Sequence, residues 1–120
     1  MSGFIYLASP YSHSEPAMRE WRYTQACKAA AHLMRRGEVV FSPIAHSHPV
    51  ETIGLQTVET GSFWKRQDIP ILRHASKLVV LTLDGWAESV GIAWEVETAK
   101  SLLIPVEYLS PRVRAEFDAL

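Results

Sequence analysis

The chain has one cysteine, Cys27. That excludes an internal disulfide framework and leaves a cysteine-built zinc cluster, a redox pair or a thiol nucleophile poorly served. Cys27 lies among alanines and reads as a small core residue. There is no excess of positive charge: 12 Lys and Arg stand against 13 Asp and Glu, for a net charge of −1. A basic field that would draw a nucleic-acid polymer or an anionic membrane is therefore missing. No apolar run approaches the roughly 20 residues that span a bilayer. The opening MSGFIYLASPYS has neither a basic start nor a long apolar region, so it does not resemble a secretion signal, and a cytoplasmic location is expected. Also missing are G-x-G-x-x-G, the G-K-S/T of a P-loop and the G-x-S-x-G of a serine hydrolase. No cofactor is expected. His46 and His48 form an H-x-H pair, but nothing nearby completes a metal-ligand spacing; they read as pocket-lining or surface histidines, with no metal.

What is present is a globular composition, 48% apolar and 21% charged over 120 residues. That length suits one hydrophobic core, and 1–120 reads as a single domain. Residues 4–8, FIYLA, are a short apolar run ended by Ser9–Pro10 and predict a first strand. Ser14 is the expected N-cap of a helix with Pro16 in its first turn. Apolar residues at helical period carry that helix to Arg35 and Arg36, and Gly37 stops it. Residues 38–41 predict a second strand, and 44–62 a long loop with room for one helical turn. A helix follows over 63–74, with Pro70 near its start or at a kink. A third strand is expected over 77–83, a helix over 89–103, a fourth strand over 104–108 and a terminal helix over 110–120.

Strands alternating with helices imply α/β architecture, here a flavodoxin-like three-layer sandwich. The expected sheet is parallel, four- to five-stranded, in the order 2-1-3-4. Its switch point lies between strands one and three, whose following turns carry Ser9, Pro10, Tyr11 and Asp84, Gly85, Ser89. In the stretch DGWAESVGIAWEVETAK, Gly91, Glu95 and Ala99 recur at four-residue spacing and share one helical face. Glu95 is there either a solvated helix carboxylate or a ligand-site carboxylate at the sheet's rim. Asp68, Asp84 and Glu88 lie on elements that converge on the same strand ends. Paired carboxylates suit cleavage of a glycosidic bond through an oxocarbenium-like transition state. Asp68 reads equally as a surface partner of Lys65 or Arg66.

Four segments resemble one family. They are IYLASPY (5–11), RQDIPILRHAS (66–76), LVVLTLDG (78–85) and SVGIAWEVETA (89–99). In that order they are similar to the nucleoside 2-deoxyribosyltransferase-like superfamily, in a short branch of it. The superfamily includes nucleoside deoxyribosyltransferases and deoxynucleoside 5′-monophosphate N-glycosidases. The resemblance implies Glu95 as the nucleophile at C1′ of the sugar, Asp68 as the carboxylate that assists departure of the base, and Tyr6 as the tyrosine that positions the nucleophile. The two turns that meet at the crevice offer Ser9, Tyr11, Asp84, Gly85, Ser89 and Gly91 as substrate contacts, and for a nucleoside substrate Trp64, Trp86 and the histidines, His46 among them, are candidates to stack on the base. Ser89 stands where phosphate-binding members carry a serine, with Ser9 or Ser12 and Arg19 or Arg22 to complete a phosphate site. As a plain helix residue it is an N-cap, and Tyr6 as a plain strand residue is core.

Ser9 in place of the usual glycine, the longer DGWAESVG turn and Glu97 in place of a glycine depart from the family pattern. The expected activity is hydrolysis or base transfer at the N-glycosidic bond of a (deoxy)nucleoside or nucleoside 5′-monophosphate, by a homodimer or homotetramer. The alternative is a nucleotide-binding or sensing module of the same fold without turnover. The terminal residues 116–120 are candidates to reach a neighbouring subunit.

Overall fold

A computed structural model describes residues 3–111. Its order is β1 (Ile5–Ala8), α1 (Pro16–Arg35), β2 (Val40–Phe41), α2 (Pro43–Pro49), a π-helical segment (Val50–Leu55), α3 (Gly61–Leu72), β3 (Lys77–Leu81), α4 (Val90–Ser101) and β4 (Val106–Leu109). The strands form one parallel sheet in the order β2-β1-β3-β4, as expected, with four strands among the described residues. No helix among them is long and apolar enough to cross a membrane.

The pleat decides which layer each residue joins, because successive strand side chains face opposite sides. Ile5 and Leu7 of β1 and Val79 and Leu81 of β3 pack with Ala29, Ala30 and Leu33 of α1. Tyr6 and Ala8, with Leu78 and Val80, pack on the other side with Leu72 of α3 and Ile92 and Ala99 of α4. Three layers result, and β1 and β3 are buried on both faces, which is why they read as unbroken apolar runs. The register that aligns Tyr6 with Leu78 and Ala8 with Val80 sets Tyr6 on the α4 side at the middle of the sheet.

Several local expectations need correction. The N-cap of α1 is Glu15, extended at φ −89° and ψ 122°, and Ser14 stands one residue too early; Pro16 is the first helical residue. The segment expected as a loop is largely helical. Ser42 caps α2 by accepting from the Ala45 N–H at 3.1 Å, and Pro43 follows at the first position. A Ser-Pro pair that ends a strand is here also a helix start, because proline's missing N–H is one the first turn would leave unpaired anyway. Thr60 caps α3, so that helix begins before Phe63, and Pro70 lies in its last turn, not at its start. β2 shortens to Val40–Phe41, and β4 runs to Leu109. Cys27 is half-buried, hydrogen-bonded to Tyr23 and not in the core. Most of the expected terminal helix, and 116–120 with it, lies outside the described residues.

Candidate active site

At the switch between β1 and β3, the buried Tyr6 hydroxyl donates to Oε2 of Glu95 at 2.6 Å. Glu95 reaches it from the inward face of α4, where it and Ala99 are buried. The carboxylate is only 8% exposed, so it is not a solvated helix side chain. Burial pushes its pKa up to about 8; the bond from Tyr6 opposes that rise, and the charge of Asp68 adds to it. Asp68, half-buried on α3, is raised to about 6 by loss of solvent. Tyr6 is driven far above its ordinary range, first by burial and then by the charges of Glu95 and Asp68, so it remains a donor at any working pH. With Glu95 raised to about 8 and Asp68 to about 6, around neutrality Glu95 holds its proton while Asp68 is largely ionised.

The turns on either side of the crevice are tied by Arg22 of α1. Its guanidinium donates to the Ser12 carbonyl at 2.9 Å and to the Asp84 carbonyl at 3.4 Å. The Asp84 side chain is exposed, as expected of a turn residue. Gly85 has φ +93°, and a Cβ there would lie 2.6 Å from Nη2 of Arg22. Gly85→Ala therefore combines backbone strain with displacement of the Arg22 strut. It should cost about 2 kcal/mol in urea denaturation, and Arg22→Met should relieve part of that cost in the double variant. Arg19 donates instead to the His13 carbonyl.

Ser9 is buried, and its hydroxyl has no hydrogen-bond partner among the described residues. Ser89 caps α4 by accepting from the Ile92 N–H at 3.2 Å, beside the exposed Gly91. A hollow of about 360 Å³ lies between α4 and β4, lined by Trp86, Ser89, Ile92, Val96, Lys100 and Tyr108. None of Glu95, Asp68 and Tyr6 lines it, so it is separate from the carboxylate pair. Trp86 packs against Tyr108 there, with ring centroids 5.6 Å apart.

His46 and His48 part company. His46 is exposed, its ring 6.0 Å from that of Phe41, which in turn lies 6.0 Å from the Tyr6 ring. His48 is buried: Nδ1 pairs with the Tyr11 hydroxyl at 2.7 Å, Nε2 stands 3.5 Å from Glu20, and Tyr23 stacks on the ring at 4.2 Å. Tyr11 and Trp64 do meet, through a residue that sequence reasoning missed. Glu51 accepts from the Trp64 Nε1–H at 3.0 Å, the Glu59 N–H at 3.1 Å and, more loosely, the Tyr11 hydroxyl at 3.4 Å. Burial and the Glu51 charge push Tyr11 up to about 12. Reading 43–55 as helical would have found Glu51, since His48 and Glu51 then fall three apart on one face.

The fold is α/β and similar to that of a nucleoside 2-deoxyribosyltransferase, with the buried Tyr6–Glu95 pair at the switch between β1 and β3. A solved 2-deoxyribosyltransferase from the psychrotolerant bacterium Bacillus psychrosaccharolyticus is similar to it, with a TM-score of 0.63 and 26% sequence identity over 89% of this chain and 72% of that one. More narrowly, the chain belongs to the family described as a domain of unknown function, DUF1937, whose profile matches residues 3–110. No curated protein matches the chain.

Proposed function

We propose that this chain cleaves the N-glycosidic bond of a (deoxy)nucleoside or nucleoside 5′-monophosphate, by hydrolysis or by transfer to a second base, with Glu95 as nucleophile. The observation that carries the reading is the buried Glu95 carboxylate held by Tyr6 at 2.6 Å, within the field of Asp68. The solved relative, described as a biocatalyst for nucleoside synthesis, supports the substrate class.

In this reading Glu95 attacks C1′ as the bond from C1′ to the base nitrogen breaks. The bonding electrons leave with the base, and Asp68 delivers a proton to it. Water, or a second base, then attacks C1′ of the glycosyl-Glu95 ester; Asp68 takes the proton, and Glu95 leaves as carboxylate. Without substrate, burial keeps the proton on Glu95 and leaves Asp68 ionised. Positive charge developing at C1′ favours ionised Glu95 and shifts that proton to Asp68. Tyr6 keeps the attacking oxygen's partner aligned.

The chemistry requires the one-proton form of the pair. Hence kcat/KM should follow a bell-shaped pH profile, falling below about 6 as both carboxyls protonate and above about 8 as both ionise. A profile flat from pH 5 to 9 would count against the pair. Ser9, Tyr11, Asp84, Gly85, Ser89, Gly91, His46 and Trp64 form the proposed substrate contacts.

We extend the proposal to 1–120 acting as one domain within a homodimer or homotetramer. The test is incubation with a panel of deoxynucleosides and their 5′-monophosphates, with free base followed by chromatography. Release of a base that Glu95→Ala abolishes is the expected result; tight binding with no release would make the chain a binding module.

A further inference from the structure

The segment between β2 and α3 holds a buried carboxylate that the proposed chemistry does not use. Among the residues of its π-helical segment, Val50–Leu55, Glu51 alone is buried, at 4% exposure. A leucine there would satisfy packing at lower cost than a charge removed from water. The charge is instead held by three donors: the Trp64 indole N–H, the Glu59 backbone N–H and the Tyr11 hydroxyl. Two of these are the polar edges of aromatic rings on segments that lead into the site. Tyr11 follows β1 just beyond Ser9–Pro10, and Trp64 stands one turn before Asp68 on the same side of α3. Tyr11 is also fixed by His48, whose ring is stacked on Tyr23 of α1.

We propose that Glu51 is a positioning residue for the leaving-group side of the site, setting Tyr11 and Trp64 as the two walls between which a planar nucleobase enters beside Asp68. This rests on the N-glycoside-cleaving reading. Glu51 touches neither the sugar nor the breaking bond; it acts through the two rings. Its replacement therefore weakens binding of the base and leaves the chemical step intact.

The decisive variant is Glu51→Gln, which keeps the volume and a carbonyl acceptor but removes the charge that orients both donors. With the releasing substrate, KM should rise about tenfold while kcat stays within about twofold, the loss expected when hydrogen bonds to a charge become neutral ones. The Trp64 indole N–H resonance, assigned by its loss in Trp64→Phe, should move upfield. Tyr11→Phe should raise KM in the same sense. An unchanged KM, an unmoved indole resonance, or a fall in kcat at constant KM would each overturn the proposal. Titration of free adenine or cytosine, followed at the same resonance, tests it without turnover. Saturable binding by the wild type, weakened in Glu51→Gln, supports it even if Glu95 proves not to be a nucleophile. Absence of any shift with either base in the wild type overturns it.

Discussion

Glu95→Gln should lose base release by on the order of 10⁶-fold in kcat, the scale seen when a covalent nucleophile is removed, and should become more stable than the wild type at alkaline pH. Both effects have one cause. Burial raises the carboxyl from its usual 4.5 to about 8 in the folded chain. The folded state then binds the proton more tightly than the unfolded state does. Stability therefore falls as pH rises from about 4.5, and the loss is complete only above about 8. One pKa unit corresponds to about 1.4 kcal/mol, which sets a ceiling near 5 kcal/mol on the penalty.

Local relaxation brings the expected gain for glutamine nearer about 2 kcal/mol at pH 9, with little or none at pH 4.5. The amide carbonyl can still accept from Tyr6, so the bond is kept while the charge is removed. Urea denaturation of both proteins at pH 4.5 and 9 measures this. A stability difference that does not widen with pH would mean that Glu95 is not a buried charge. A gain in stability paired with a loss of activity is the signature of a site residue, not of a core residue.

Tyr6→Phe should have the second largest effect. It removes the bond to Glu95 at 2.6 Å and little else, since the ring is fully buried and phenylalanine fills the same space. With that donor gone nothing offsets the burial of the carboxylate, so the Glu95 pKa rises further. The alkaline limb of the pH profile should move upward, and kcat/KM at neutral pH should fall about 10²-fold, as for loss of one preorganised donor. Stability should drop by about 1 kcal/mol near pH 6, where Glu95 is neutral, and by more at pH 9, where it must ionise without a partner. A fall in activity with an unmoved alkaline limb would separate Tyr6 from Glu95.

Much of this arrangement was legible in the residues. β1 and β3 are apolar without interruption because helices cover both of their faces, and strand alternation sends Tyr6 to the side of α4. The spacing of Gly91, Glu95 and Ala99 gave the inward face of α4, two of which, Glu95 and Ala99, are buried. Less legible was the segment from Pro43 to Leu55. Its prolines sit at a helix start and at a junction between helical forms, where they break nothing, yet in sequence they read as loop. Glu51 was hidden by that reading, since its burial follows from partners on α3 and after β1 and not from any local period. Asp84 and Gly85 were rightly placed in the turn, but the strut from Arg22 that holds them needs the third dimension. Of the two readings of Ser89, the N-cap is the one seen, with its hydroxyl accepting from the Ile92 N–H.

The nucleophilic role of Glu95 is open to one direct measurement. The protein would be incubated with a nucleoside substrate whose sugar carries a 2′-fluorine, which slows breakdown of a glycosyl-enzyme, then denatured, digested and weighed peptide by peptide. The expected result is a stoichiometric increase of one fluorosugar on the peptide containing Glu95, absent in Glu95→Gln, with one equivalent of base released. Base released over many turnovers with no sugar on that peptide, or sugar on a different residue, would contradict it.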